Sequence, residues 1–279
     1  MTNYLLFPDG KNKALTLSYD DGVDTDREFI KLLEKYGIKC TFNLCPGCCA
    51  PEGYVRPEGK NHYNLPLSEL SELYRSPVCE VATHAYTHPR LDLIPTLQCM
   101  YEIADCRKQL EEIFGTLVRG HAYPYGSFND DVIKILEYSG IEYARTTVST
   151  HDFSLPDNWL KFDTTCHHND PKLGELTDRF LNSEPFHCHD GWLFYLWGHT
   201  YEFRRDGNWD MIEDFFKRVS GRENIWYATN IEVCEYVKAY RALVYYADGK
   251  RVYNPTQIDV WAKLNDKKVF IPAGQTVEF

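Results

Sequence analysis

Apolar and polar positions change period repeatedly along the chain. Ala14-Leu15-Thr16-Leu17-Ser18-Tyr19 is a β-rich run that ends at Asp20-Asp21-Gly22. Helical spacing follows, with Phe29, Ile30, Leu32 and Leu33 on one face of a segment from Asp26 to Tyr36 that Gly37 stops. Lys39 to Leu44 is the next strand. A proline-containing loop then runs to about Leu67, and Ser68 is the expected cap of a short helix to Arg75. Strands are predicted over Val78–Thr83, Val118–Tyr123, Ile141–Thr147, Trp192–Trp197 and Ile225–Ala228. Helices are predicted over Pro95–Phe114, Asp130–Tyr138, Leu173–Asn182, Trp209–Val219 and Ile231–Leu243.

Strands that alternate with helices imply an α/β protein with parallel strands inside and helices outside. Seven or eight such strands favour a (β/α) barrel over an open sheet. From Val244 the pattern changes to short alternating runs broken at Asn265-Asp266 and Ala273-Gly274, the mark of antiparallel hairpins. The expected organisation is a barrel domain over residues 1–243 and a small C-terminal β-appendage over 244–279.

The 279 residues carry a net charge of −11, which argues against a nucleic-acid surface and against docking on anionic membranes. No run approaches the roughly 20 apolar residues of a membrane helix. The start lacks a basic and then apolar leader, so a cytoplasmic location is expected. Ten cysteines then read as reduced thiols. Cys45-Pro46-Gly47-Cys48 has redox-motif spacing but no second Cys pair to make a zinc site.

Candidate chemistry gathers where βα architectures put it, just beyond the C-terminal ends of strands. Asp20-Asp21 ends the first strand, His84-Ala85-Tyr86-Thr87-His88 the third, Tyr123-Pro124-Tyr125-Gly126 the fourth, and His199 the strand from Trp192. Two imidazoles and a carboxylate make a facial set that leaves positions free on a cation. Adjacent aspartates point differently, so one can bind the cation while the other reaches a water. Trp197 and Tyr201 flank His199 and could stack on a ligand ring. His167-His168 could line the cleft or bind a second ion, although a structural role is the simpler expectation.

These residues resemble the polysaccharide deacetylases of carbohydrate esterase family 4, whose catalytic unit is the NodB-homology domain. Ser18-Tyr19-Asp20-Asp21-Gly22 is similar to that family's Thr-Phe-Asp-Asp-Gly motif, and His84 to His88 to its His-Ser/Thr-x-x-His motif. The resemblance spans about Ala14 to Tyr240 and implies a distorted (β/α) barrel. It implies Asp20 as general base, Asp21, His84 and His88 as metal ligands, the Tyr125 backbone N–H at the oxyanion and His199 as general acid. It also implies a divalent cation, zinc first with cobalt, nickel or manganese as alternatives, and an acetylated sugar or oligosaccharide as substrate. The expected reaction is removal of an N- or O-acetyl group by metal-activated water. A small non-sugar amide as substrate, a non-catalytic carbohydrate-binding barrel and a redox protein using Cys45 and Cys48 are the alternatives.

The chain departs from the family pattern in several places. Ala122 replaces the third motif's Arg, and Arg145 either supplies that charge from another strand or is a surface ion-pairing residue. Ala85 removes a hydroxyl that braces the histidine loop. Trp197 stands at the Leu position near the acetyl methyl, and Thr200 replaces the Asp after His199. The family's Asp-x-x-Asp-Trp motif has no counterpart, although Asp152, Asp157 and Trp159 lie in that region.

Overall fold

The computed structural model of the protein describes residues 3–185 and 189–279. Met1 and Thr2, at the start from which the lack of a leader was read, lie outside them. The strands are β1 (Asn3–Leu6), β2 (Lys13–Asp20), β3 (Cys40–Leu44), β4 (Cys79–Thr83), β5 (Gly120–Ala122), β6 (Tyr143–Ser149), β7 (Phe162–Thr164) and β8 (Cys166–His167). They continue with β9 (Trp192–Gly198), β10 (Ile225–Tyr227), β11 (Val244–Tyr245), β12 (Arg251–Tyr253), β13 (Val260–Leu264), β14 (Lys267–Ile271) and β15 (Thr276–Glu278). The helices are α1 (Asp26–Tyr36), α2 (Leu67–Leu73), α3 (Thr96–Phe114), α4 (Asp130–Tyr138), α5 (Leu173–Asn182), α6 (Thr200–Asp206), α7 (Trp209–Val219) and α8 (Asn230–Arg241).

The central sheet is parallel throughout and runs β7-β6-β5-β4-β3-β2-β9-β8. Its ends meet in one stretch of chain. Phe162–Thr164 pairs with β6, and just past Thr165, Cys166–His167 pairs with β9, so a single extended segment closes the ring. β10 wedges in beside the start of β2, opposite Lys13–Leu15, while β3 takes Ser18–Asp20. This is the distorted barrel of seven or eight parallel strands.

Strand β2 explains why the barrel has a wet centre and an oily coat. Its side chains alternate. Leu15, Leu17 and Tyr19 face outward into a cluster with Phe29 and Leu33 of α1 and Phe216 of α7. Thr16, Ser18 and Asp20 face the other way and are buried. Buried polar groups need partners, and these have them. Thr16 Oγ1 donates to Asn230 Oδ1 at 2.8 Å, and Asn43 Nδ2 donates to Ser18 Oγ at 2.7 Å and to Asp20 Oδ1 at 2.8 Å.

Local signals held where one face had to be buried. α1 and α5 begin and end at the predicted residues, and Gly37 closes α1 in the left-handed conformation (φ 63°). The Ser68 cap is a correction. α2 starts at Leu67 after Pro66, and the Ser68 hydroxyl instead donates to Glu52 Oε2 at 2.7 Å. α6 is a helix that the sequence reading missed.

The tail forms two small antiparallel sheets, β11-β12-β15 and β1-β13-β14. Asn265 and Asp266 turn β13 into β14 with both φ values positive (48° and 64°), the two-residue hairpin geometry expected of that pair. The second sheet also takes β1 from the other end of the chain, with Asn3 opposite Leu264. A cluster of Leu243, Val252, Val260, Leu264 and Ile271 packs these strands on Ala239 and Tyr240 of α8. No helix among the described residues is long and apolar enough to cross a membrane.

Candidate active site

The barrel brings the expected residues to one mouth. Asp20 is the last residue of β2, Asp21 follows it, His84 and His88 follow β4, Tyr125 follows β5, and His199 joins β9 to α6. Four non-glycine residues here, Asp21, Ala85, His88 and Tyr125, have positive φ of 81°, 59°, 60° and 59°. Such backbone is strained for L-residues and is kept where surrounding bonds over-determine it. Asp21 N donates to Asn43 O at 3.0 Å and Asn64 Nδ2 to Asp21 O at 3.1 Å. The histidine loop is tied by Thr87, whose N–H and hydroxyl donate to Glu102 of α3 at 2.7 and 2.6 Å. That brace stands in for the hydroxyl missing at Ala85.

Donor atoms of Asp21, His84 and His88 lie within 4.8 Å of one another. Asp21 Oδ1 is 3.9 Å from His84 Nε2 and 3.7 Å from His88 Nε2, and the two Nε2 atoms are 3.1 Å apart. His84 Nδ1 donates to the Ala122 carbonyl at 2.7 Å. This fixes the tautomer with a bare Nε2 lone pair aimed at the cluster, the second-shell pattern of a metal-ligating histidine. Burial lowers the His84 pKa to about 4, so the ring is neutral as ligation requires. Burial would raise the Asp21 carboxyl, but a hydrogen bond from His62 and the charges of His84, His199 and His88 hold it well below the usual carboxylate range. An anionic oxygen and two imidazole nitrogens converging this closely fit a divalent cation.

Asp20 points into the barrel. Its Oδ1 accepts from Asn43, and its Oδ2 accepts from Arg145 Nη2 at 2.5 Å. Arg145, from β6 on the far side of the ring, is only 1% exposed, so it is an interior counter-charge and not a surface residue. Burial works to raise the Asp20 carboxyl, and Arg145, His84 and His199 together outweigh it, so the group is ionised. The guanidinium lies 4.3 Å from the centre of the Trp197 ring, so one face of Trp197 is given to Arg145.

His199 Nε2 is 3.7 Å from Asp20 Oδ2. Behind it, His199 Nδ1 lies 3.5 Å from Glu202 Oε2, an oxygen that His167 Nε2 and His168 Nε2 also approach at 3.1 and 3.2 Å. Burial opposes charge on His199, but Glu202, Asp20 and Asp21 outweigh it and raise its pKa above the usual value. Thr200 anchors the start of α6 by donating its hydroxyl to the buried Asp26 carboxyl.

The His167, His168 and Glu202 group is also close enough to hold an ion. Its protons argue otherwise. Asn169 N–H donates to His167 Nδ1 at 3.1 Å, and the buried Tyr19 hydroxyl sits 3.2 Å from His168 Nδ1. The His167 ring then carries its hydrogen on Nε2, facing Glu202, which suits a carboxylate and not a cation. Space behind His168 is tight. A Cβ at Gly198 would meet its Nδ1 at 2.0 Å. Gly198→Ala is expected to cost about 1–3 kcal/mol by overpacking, read as a lower midpoint in urea unfolding.

Tyr125 and Tyr201 each set a ring against a histidine at the mouth. The exposed Tyr125 ring meets His88 edge to face at 4.7 Å, and Tyr201 meets His62 likewise at 4.7 Å. Asp152 and Asp157 stay away from this mouth and line a different cavity with Trp192, while Trp159 packs in the core against Phe162. Sequence reasoning missed Asn43, Glu102, Glu202 and His62. Glu202 had a readable signal, its i,i+3 spacing from His199, had α6 been recognised.

Fold and site together define a parallel (β/α) barrel whose strand ends gather an Asp-His-His donor set beside a buried, ionised aspartate. The polysaccharide deacetylase family model matches residues 8–144, which hold Asp20, Asp21, His84, His88 and Tyr125. The poly-beta-1,6-N-acetyl-D-glucosamine N-deacetylase of Staphylococcus aureus is 24% identical over 162 residues, 52% of this chain and 53% of its own. The YxkH protein of Bacillus subtilis is 24% identical over 136 residues, 48% of this chain and 45% of its own. The chain thus spans about half the length of the curated relatives it matches. Among solved structures, the carbohydrate esterase family 4 domain of a multidomain xylanase from the hindgut metagenome of Trinervitermes trinervoides superposes with a TM-score of 0.53 at 17% identity, over 82% of this chain and 93% of that one. A mutant of a family 4 pseudoenzyme from Bacillus anthracis, with restored enzymatic activity, has a TM-score of 0.50 at 18% identity over 83% and 70%. At these identities the likeness establishes the barrel fold.

Proposed function

We propose that the protein is a metal-dependent deacetylase that removes an N- or O-acetyl group from a sugar or oligosaccharide. The observation that carries this reading is a pair of groups pushed apart in proton affinity beside the Asp-His-His set: Asp20 paired with the buried Arg145 and held ionised, and His199 set against Glu202 and Asp20, which raise its pKa despite burial. Opposite shifts of neighbouring groups mark a base and an acid. A cation held by Asp21, His84 and His88 would supply Lewis acidity toward the acetyl carbonyl and a more acidic water.

Asp20 is the base, taking the proton of the water that attacks the carbonyl. Arg145 and Asn43 hold that carboxylate in place. His199 gives its Nε2 proton to the departing amine or alcohol, with its ring turned by Glu202. The Tyr125 backbone N–H steadies the carbonyl oxygen, and Tyr201 offers a face for a sugar ring. The Staphylococcus aureus relative's name points to an N-acetylglucosamine polymer as the substrate to try first. A second reading, a barrel that binds sugar without turnover, is prompted by the family 4 pseudoenzyme whose reactivated mutant is among the structural neighbours. The Asp20–Arg145 pair and the His199–Glu202 contact speak for catalysis, because binding alone needs neither.

Acetate release from N-acetylglucosamine oligomers, acetylated xylan and small amides tests the proposal. Activity is expected to vanish with chelator and to return with zinc, cobalt, nickel or manganese, with zinc the expected physiological ion. His84→Ala should lose both ion binding and turnover. No acetate from any substrate after metal is restored would sink the enzymatic reading.

A further inference from the structure

The loop between β3 and α2 has no periodic pattern, yet its last part is built into the site. Leu65 N donates to Gly22 O at 2.9 Å, Asp24 N donates to Tyr63 O at 3.0 Å, and Val23 and Asn64 form an antiparallel bridge. Arg204 of α6 clamps the same place, donating to both Asp24 oxygens at 2.9 and 2.8 Å and to the Asn61 carbonyl at 3.3 Å. The segment from Asn61 to Leu65 is therefore zipped along the residues that follow Asp21. His62 projects from it. Its Nε2 reaches Asp21 Oδ2 at 3.2 Å, and its ring is propped by the edge-to-face contact with Tyr201.

The two oxygens of Asp21 are thereby divided. Oδ1 faces His88 and His84, and Oδ2 faces His62. An ionised carboxylate only accepts hydrogen bonds, so His62 Nε2 is the donor, in its neutral or its charged form. Partners of this kind fix the rotation of a ligand and sharpen its affinity for an ion. A free carboxylate could turn or offer both oxygens. Here one is taken.

We propose that His62 is a positioning residue. It holds Asp21 with Oδ1 presented to the cation, and it couples docking of the Asn61–Leu65 segment to ion affinity. This rests on the reading of Asp21, His84 and His88 as the ion's ligands.

The test is zinc affinity of the metal-free protein, measured by competition with a chromophoric chelator, for the parent, His62→Ala, His62→Gln and Arg204→Ala. His62→Ala is expected to bind zinc roughly 10–100-fold more weakly, the usual effect of losing an outer partner. His62→Gln, whose amide N–H can reach the same oxygen, should recover most of the loss. Arg204→Ala, which frees the segment without touching Asp21, should weaken binding less than His62→Ala. Equal affinity of His62→Ala and the parent would overturn the positioning role alone. His62→Gln as weak as His62→Ala would also overturn it, because the ring nitrogen would then be needed as such. No zinc binding by the parent would overturn this role and the ligand set together. Circular dichroism of each variant separates a lost contact from a lost fold.

Discussion

Asp20→Asn is expected to lower acetate release by roughly 10²–10⁴-fold, the range a positioned acid or base contributes, while zinc affinity stays within a few-fold of the parent. The substitution keeps shape and the Asn43 contact but removes the carboxylate that takes the proton. It leaves Asp21, His84 and His88 as they are. It also leaves the Arg145 guanidinium buried without its counter-charge, so some stability goes too. Rates should therefore be compared well below the variant's melting temperature, next to a chelator-competition measurement. Turnover equal to the parent's would remove Asp20 from the reaction.

Arg145→Met is expected to hurt both fold and rate. Breaking a buried ion pair from one side typically costs about 3–5 kcal/mol, and the partner left behind is 2% exposed. Burial then acts on Asp20 without the Arg145 charge that opposed it most, so its pKa rises. The sign follows from linkage. A carboxyl whose folded pKa is depressed adds stability above its unfolded value and loses that addition as pH falls through the folded value. The stability gap between parent and variant should thus be widest near neutrality and narrow in acid, as unfolding in urea across pH would reveal. The acid limb of the rate profile should move to higher pH in the variant. A gap independent of pH, with an unmoved acid limb, would mean that Arg145 does not govern Asp20.

These residues also show what a one-dimensional reading can reach. Asp20, Asp21, His84, His88 and His199 were legible because each sits at a strand end, and a parallel barrel sends all such ends to one face. The ligands come from loops whose position is set by strand order alone. Arg145 was ambiguous for the opposite reason. It lies within β6, and its partner is on β2, across the ring, so no local period tells an inward guanidinium from an outward one. Asn43 looked like any strand residue until the β2–β3 register set it opposite Asp20. His62 and Glu102 depend on tertiary closure of a loop and a helix over the mouth. The fold was more readable than the support around the site, because apolar spacing reports burial and carries no record of which polar groups meet.

The pairing of β1 with β13 has a consequence for how the molecule comes to be made. Asn3–Leu6 is synthesised long before its partner, Val260–Leu264. Until then β1 lacks its strand partner, although the buried Leu5 and Phe7 pack against the barrel and α8 rather than against the tail strands. Nascent chains that show apolar strand edges are prone to associate. The tail is therefore a late-arriving clasp, and until β13 has been made β1 keeps an open β-edge.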